Sequence, residues 1–441
     1  MAKTTIKKIF ALILTLALSL SLLVLFTSCA DKSAGSGTLL SKEELQRNVE
    51  SEATAEGGFA DWLEEWRFPL FNKSKLELLE SIYEKHYVSE LPEAKVKAKE
   101  CALYFLSKYY DSVEIENVEK TTDMIIKSYV ATVNDRYSVY RTAEEYEEYD
   151  SDMSGSFVGI GVTVRYREST EEIEVISVNR GGGAEEAGIL SGDLIVKVDG
   201  KSVSELGYED AVSMIRGEEG TNVLIGVLRE GSELSFSVKR KTVTEESVRY
   251  LIENGIGYVK ITSFKDNTYS QFKEAIDAIE ASGAKGIIYD VRSNPGGYLH
   301  SVVDILDYIA PKGTTIASFT NDYAKPEKAR TSHTVLLPSV VIFNGSTASA
   351  GELFASAIRD FGEMGLFPVK TVGEKSFGKG IMQNTYRFRD GASITLTVAY
   401  YNPPLGKNYH GVGIKPDVEI EGDSLQLASA YEEINKLINN N

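Results

Sequence analysis

Cysteine is nearly absent from this chain of 441 residues: there are two, Cys29 and Cys101. Two cysteines cannot supply a disulfide framework, so stability must come from ordinary apolar cores. Histidine is scarce as well, with only His86, His300, His333 and His410. No His/Cys group has the spacing of a zinc site, so no metal is expected. An excess of positive charge is also missing. Lys and Arg number 47 against 65 Asp and Glu, a formal charge of −18, which excludes a surface built to neutralise nucleic-acid phosphates. The acidic residues form only short clusters such as Glu144-Glu145 and Glu147-Glu148, and read as solvated surface. What is present, 42% apolar and 25% charged residues, suits a globular protein, and the length predicts two or three domains.

The one long hydrophobic run stands at the start. Lys3, Lys7 and Lys8 precede an uncharged stretch from Ile9 to Phe26, and Thr27-Ser28-Cys29 follows. This is the pattern of a secretory signal over 1–29, long enough for an uncleaved anchor to remain the alternative. Leu25-Phe26-Thr27-Ser28-Cys29 resembles the lipobox of bacterial lipoproteins, with Phe26 where leucine is more usual. That resemblance implies lipidation at Cys29 and an extracytoplasmic chain anchored to the bacterial cell membrane. Asp31 to Thr38 is polar and rich in Gly and Ser, so 30–60 is expected to be a flexible tether. With Cys29 acylated, Cys101 has no partner; within its apolar helical pattern it reads as a small buried hydrophobe.

Apolar residues at helical spacing, including Leu76, Leu79, Ile82 and Tyr83, then Met124, Ile125, Tyr129 and Val130, predict a helical region over 61–150. It is expected to pack or to dimerise rather than to carry chemistry, which makes a homodimer through it an expectation. From Met153 the pattern changes to short alternating strands. Gly188 is placed to end a short helix and Asp199-Gly200 to close a hairpin. The segment from Phe157-Val158-Gly159-Ile160-Gly161 through Gly183-Ala184-Glu185-Glu186-Ala187-Gly188 to Asp193-Leu194-Ile195-Val196 resembles a PDZ domain, assigned to 151–243. The resemblance implies that Val158, Gly159, Ile160 and Gly161 form the loop that binds a substrate's C-terminal carboxylate. Glycines permit backbone N–H groups to converge on such a group beside an open strand edge.

From 244 to 422 strands alternate with helices. Gly286 to Val291 is an almost continuous apolar strand, as a doubly covered sheet needs, and 423–441 reads as a terminal helix. Two glycine-rich stretches follow buried strands and precede helices: Asp290-Val291-Arg292-Ser293-Asn294-Pro295-Gly296-Gly297, and Asn344-Gly345-Ser346-Thr347-Ala348-Ser349-Ala350-Gly351-Glu352. Such strand ends are where ligands sit in open α/β sheets, and unpaired N–H groups at a helix start can hold an oxyanion. A third stretch, Gly373-Glu374-Lys375-Ser376-Phe377-Gly378-Lys379-Gly380-Ile381-Met382-Gln383, has the spacing of a P-loop. Gly380 stands where that motif needs Ser or Thr, and a strand follows instead of a helix, so the nucleotide reading fails and no cofactor is expected.

Together these three stretches resemble the carboxy-terminal processing peptidases, the S41 family of PDZ-containing serine endopeptidases of Ser/Lys type. The likeness spans about 134–416. It includes Asn134-Asp135-Arg136-Tyr137-Ser138-Val139-Tyr140, with Arg136 in place of the family's proline; Gly351 stands where serine is common, and Gly362 to Phe367 looks like an insertion. The resemblance implies an α/β multidomain fold: a helical N-terminal region, a PDZ domain built as a small β-barrel with two helices, and an α/β protease core with a mixed sheet. It implies Ser349 as nucleophile, Lys379 as general base and Gln383 as its supporting amide.

The chemistry is coherent by itself. A hydroxyl needs a base, and lysine serves only when burial or a nearby positive charge keeps it neutral. Phe377 and Gly378 are placed to give Lys379 an apolar setting. Ala350 N–H with that of Gly296 or Gly297 would form the oxyanion hole, and the choice between the glycines is open. The partners implied are proteins or peptides with free C-termini and the membrane, without nucleic acid. A Ser/His/Asp triad is the catalytic rival, through His300. The non-enzymatic rival is an inactive protease fold serving as a PDZ adaptor for C-terminal tails at the membrane.

Overall fold

The computed structural model describes residues 40–51, 57–168, 170–179, 181–320 and 325–440. The signal segment and Cys29 lie outside them. Among the described residues no helix is long and apolar enough to cross a membrane.

The expected tether is overturned in part, because Lys42–Glu50 is a helix. Ser41 accepts the Glu44 N–H while Glu44 accepts that of Ser41, a reciprocal cap that satisfies two otherwise unpaired donors. Leu45 and Val49, one turn apart, are buried. The helices that follow, Phe59–Glu65, Lys73–His86, Ala94–Lys108 and Val118–Thr132, share one continuous apolar core with the α/β region. Cys101 is fully buried there, and burial drives its thiol pKa well up. Strand Val139–Arg141 then leaves the helices to pair with Ser393–Asn402.

Two sheets build the α/β core. The first runs Val248–Glu253, Ile256–Ile261, Gly286–Asp290, Ser339–Phe343, Val369–Gly373, Val418–Glu419. Its first pair is antiparallel and the rest are parallel. Gly286–Asp290 and Ser339–Phe343 are buried at every position, as strands covered on both faces must be. Helices Thr268–Ala281, Leu299–Ile309 and Ala350–Glu363 cover one face within the large core. Helix Asp423–Asn439 covers the other, with Ala430 and Ile434 against Ile288, Val340 and Ile342. The second sheet is antiparallel and centred on Ser393–Asn402, which pairs with Val139–Arg141, Thr315–Phe319 and Ile381–Arg387.

The segment that resembles a PDZ domain has its own core, with Ile160, Ile173, Val175, Ile195 and Ile225 among its buried residues. Its sheet begins at the edge strand Val162–Arg167. Gly188 ends helix Gly183–Ala187 at φ 89, and Asp199-Gly200, both at positive φ, close the turn between Leu194–Val198 and Lys201–Ser202. Three short helices are present rather than two, because Gly207 at φ 78 splits Val203–Leu206 from Tyr208–Ile215. The chain enters and leaves the domain through one paired ribbon, Ser156–Gly159 with Lys241–Thr244.

At the carboxyl end of Gly286–Asp290 the Asp290 carboxylate is fully buried, accepting from Tyr258 Oη at 2.6 Å, Lys260 Nζ at 3.0 Å and Arg292 Nη2 at 2.6 Å. Burial works to raise its pKa, but the Arg292 hydrogen bonds and the Lys260 charge hold it below the usual carboxylate range. Arg292 also donates to the Asp423 carbonyl, fixing the terminal helix to the sheet. Asp290→Asn would leave two cations without their buried counter-charge. It is expected to lower the unfolding free energy by about 3–5 kcal/mol, measured by urea denaturation.

Candidate active site

The two glycine-rich stretches meet at the strand ends. Asn294 is fully buried between them: its side chain donates to the Ile261 carbonyl, and its own carbonyl accepts the Ala348 N–H at 2.9 Å. Thr347 Oγ1 donates to the Val291 carbonyl at 2.8 Å. Ser349 follows this knot at the N-cap position of helix Ala350–Glu363, with φ 54 and ψ −121. A non-glycine residue held there costs on the order of 1–3 kcal/mol, and such turns persist where the surroundings over-determine them. Its side chain makes no cap bond and faces the Tyr401 hydroxyl.

Glu352 holds this turn to the third stretch. Its carboxylate is fully buried and accepts four hydrogen bonds. They come from Ser349 N–H at 2.9 Å, Ser376 Oγ at 2.5 Å, Gly378 N–H at 2.6 Å and Lys379 N–H at 2.7 Å. The backbones of Ser349 and Lys379 are therefore joined through one side chain. Tyr401 Oη donates to the Lys379 carbonyl and Asn408 Nδ2 to that of Gly380, which fixes the far side of the loop. Reading the sequence gave Glu352 no role, although Ser349-Ala350-Gly351-Glu352 has the spacing of a reciprocal cap.

Ser349, Ala350, Gly297, Lys379 and Gln383 line one cleft of about 540 Å³. Lys379 Nζ lies 4.7 Å from the centroid of the Tyr137 ring, and Arg136 Cζ stands 4.7 Å from the same centroid. Burial lowers the Lys379 pKa; Asp135 opposes the shift, Arg136 reinforces it and Glu352 opposes it. Phe377, expected to supply the apolar setting, is 47% exposed; the Tyr137 ring stands against the amine instead. Among the described residues no hydrogen bond joins Ser349 Oγ to Lys379 Nζ. Gln383 sits at a bulge in the pairing with Ser393–Asn402 and directs its amide to the Ile381 carbonyl at 3.4 Å, not to Lys379.

The open choice between the glycines narrows here. The Gly296 N–H is taken by Asn294 Oδ1 at 2.8 Å. Gly297 faces the cleft, and neither its N–H nor that of Ala350 has an acceptor among the described residues. At Gly297, φ is 143 and a Cβ would stand 2.1 Å from the Phe264 carbonyl oxygen, so no side chain fits. Two free donors beside a hydroxyl are what a developing oxyanion needs.

His300 also lines the cleft and bonds Asp266 at 2.8 Å, with side chains 59% and 52% exposed. Among the described residues it makes no hydrogen bond to Ser349. In the PDZ domain, Val158 and Gly159 pair with Thr242 and Lys241 in the ribbon. Ile160 is buried and accepts the Ala184 N–H through its carbonyl, and Gly161 turns at φ 80. The adjoining edge strand and helix Tyr208–Ile215 approach through Tyr166 and Tyr208, with ring centroids 5.2 Å apart.

Comparison with known proteins gives two family matches, peptidase family S41 over residues 255–420 and PDZ domain over 174–229. The chain is 36% identical over 325 residues to the carboxy-terminal processing protease CtpA of Bacillus subtilis (strain 168), covering 72% of this chain and 68% of that protein. It is 33% identical over 323 residues to a CtpA-like serine protease of Staphylococcus haemolyticus (strain JCSC1435), covering 72% and 64%. The solved photosystem II D1 C-terminal processing protease aligns with a TM-score of 0.45 at 24% identity, over 78% of this chain and 92% of that one. The chain belongs to peptidase family S41, as a serine-type peptidase of the carboxy-terminal processing group with a PDZ domain.

Proposed function

We propose that this chain is an endopeptidase that processes or degrades exported proteins from their C-terminal regions, with Ser349 as nucleophile and Lys379 as general base. The observation that carries the reading is the Glu352 clamp, which holds the Lys379 loop against the strained Ser349 turn. In this reading the Lys379 amine leaves the Tyr137 ring and accepts the Ser349 proton as the hydroxyl attacks the scissile carbonyl. Ala350 and Gly297 N–H stabilise the oxyanion, and the protonated lysine delivers its proton to the leaving amine. Water, deprotonated in turn by Lys379, hydrolyses the acyl-enzyme. Gln383, four residues on in strand Ile381–Arg387, orients the amine once it has moved. Ser349→Ala and Lys379→Ala are each expected to abolish cleavage of casein while keeping the wild-type circular dichroism. His300→Ala should change kcat/KM by less than about tenfold, whereas a triad histidine would cost far more.

The PDZ domain receives the substrate's terminal carboxylate at Val158 to Gly161, with the tail lying along the open edge of Val162–Arg167. Lipidation at Cys29 anchors the chain to the outer face of the cell membrane, where exported substrates pass. A protein substrate whose C-terminus is amidated is expected to show a higher KM than the free acid; equal KM would remove carboxylate docking from the mechanism.

The lowered pKa of Lys379 has a consequence for stability. Between its folded value and the ordinary lysine value of about 10.4 the unfolded chain binds more protons than the native one. Burying this amine therefore costs stability in full below that window, and the cost fades as pH rises through it. Lys379→Met should melt no lower than wild type at pH 7. The wild type should gain on it as pH is raised towards about 10, followed by thermal melts across that range.

A further inference from the structure

The cleft that holds Ser349 has a charge opposite to that of the protein. Asp and Glu outnumber Lys and Arg by 65 to 47 along the chain, yet no Asp or Glu lines this cleft, while Arg136, Arg141 and Lys379 all do. Arg136 and Arg141 form no ion pair among the described residues. Arg136 lies over Tyr137 and Phe377 and contacts the Tyr137 hydroxyl. Arg141 lies 3.9 Å from the centroid of Tyr149 and donates to Thr395 Oγ1 at 3.0 Å. These contacts set the direction of each guanidinium, and the nearest influence on Arg141 is the longer-range charge of Glu145 rather than a direct ion pair.

Two carboxylates stand near Lys379, Asp135 and the buried Glu352, whose oxygens are filled by four donors behind the serine turn; neither lines the cleft. Asp135 accepts from Ser138 Oγ at 2.7 Å and Tyr137 N–H at 3.0 Å. Glu145 pairs with Lys127 at 2.7 Å and caps its own helix at Thr142. Asp266 pairs with His300. Leaving two guanidinium groups unpaired in a concave site, in a protein with acid to spare, focuses positive potential on whatever enters. Guanidinium is also the side chain best shaped for carboxylate recognition.

We infer that the cleft selects substrate segments that carry a carboxylate beside the scissile bond, with Arg136 and Arg141 as the recognising groups. The inference rests on the proteolytic reading above and adds a substrate class to it. Two carboxylates have this chemistry, an Asp or Glu side chain and a chain's terminal α-carboxylate near the cut.

The test uses the full chain and short peptides blocked at both ends, identical except for Glu, Gln or Lys at single positions flanking one cut. A parallel pair has the neutral sequence with a free or an amidated C-terminus. Glu peptides are expected to exceed Gln peptides in kcat/KM on the order of tenfold at low salt, with Lys peptides poorest. The preference should shrink with added salt as the charges are screened. Arg141→Gln should move the Glu/Gln ratio towards one, and Arg141→Glu should turn the preference towards Lys. A preference for the free C-terminus that Arg141→Gln removes would assign the site to the α-carboxylate. Ser349-dependent cleavage of all peptides with no dependence on carboxylate overturns this inference and leaves the proteolytic reading standing. No Ser349-dependent cleavage of any peptide or of casein overturns both.

Discussion

One buried carboxylate holds the site together. The four donors to Glu352 come from the serine turn and from the loop that bears the lysine, segments that nothing in the local chain brings together. A buried anion is costly unless its oxygens are filled, and here both are. That cost, once met by these donors, makes the arrangement specific, because moving either segment leaves the charge partly unsatisfied. The position in the first turn of Ala350–Glu363 also sets the carboxylate against the positive end of the helix. The strained backbone at Ser349 persists because its N–H, its following helix and the Asn294 knot all constrain it at once.

The same clamp decides what Lys379 can do. Its backbone N–H is committed to Glu352 and its carbonyl to Tyr401, so only the side chain is free to move. Burial is the largest influence and favours the neutral amine; the Asp135 charge opposes it, and Arg136 works with burial. Tyr137 offers the amine an aromatic face without a proton acceptor that would compete for it. The charge of Glu352 opposes neutrality, but its oxygens are already occupied by four donors. In the proposed mechanism the amine, its pKa lowered by burial and its stem parked against the ring, moves through its side-chain torsions while its backbone stays held.

Much of this was legible in the chain because strand ends and glycines mark themselves. The two motifs at Asp290–Gly297 and Asn344–Glu352 follow apolar strands, and the lysine loop precedes one, so their convergence at one edge follows from the α/β pattern. Other features depend on distant pairing. The wall formed by Arg136, Tyr137 and Arg141 reaches the cleft because Val139–Arg141 pairs with Ser393–Asn402, a contact across more than half of the chain that no local spacing records. The helical region is expected to pack or to dimerise, and its apolar faces share the core of the peptidase sheet, a partner its sequence does not reveal. The distinction between Gly296 and Gly297 turns on a single hydrogen bond from the Gly296 N–H to Asn294 Oδ1. Helix Lys42–Glu50 was overlooked among polar residues, since only Leu45 and Val49 of its positions are buried.

The PDZ domain joins the α/β core through a paired ribbon whose base is held by a few side chains. The paired ribbon ends at Lys265, a largely buried cation that bonds Asp152 at 3.0 Å and Glu245 at 2.6 Å, one on each side of the domain in sequence. Asn267 Nδ2 donates to the carbonyls of Gly155 and Glu245 as well. Both crossings of the chain are thus fixed to the loop 262–267. The same loop carries Phe264, whose N–H bonds the Gly296 carbonyl and whose carbonyl accepts the Tyr298 N–H. Gly297 lies between those two bonds. One loop therefore holds both the ribbon base and the glycine whose N–H faces the reacting carbonyl in the proposed mechanism. A link between the proposed tail-binding site and the proposed oxyanion donor would have to pass through a physical element shared by both, and this loop joins the base of the ribbon to Gly297.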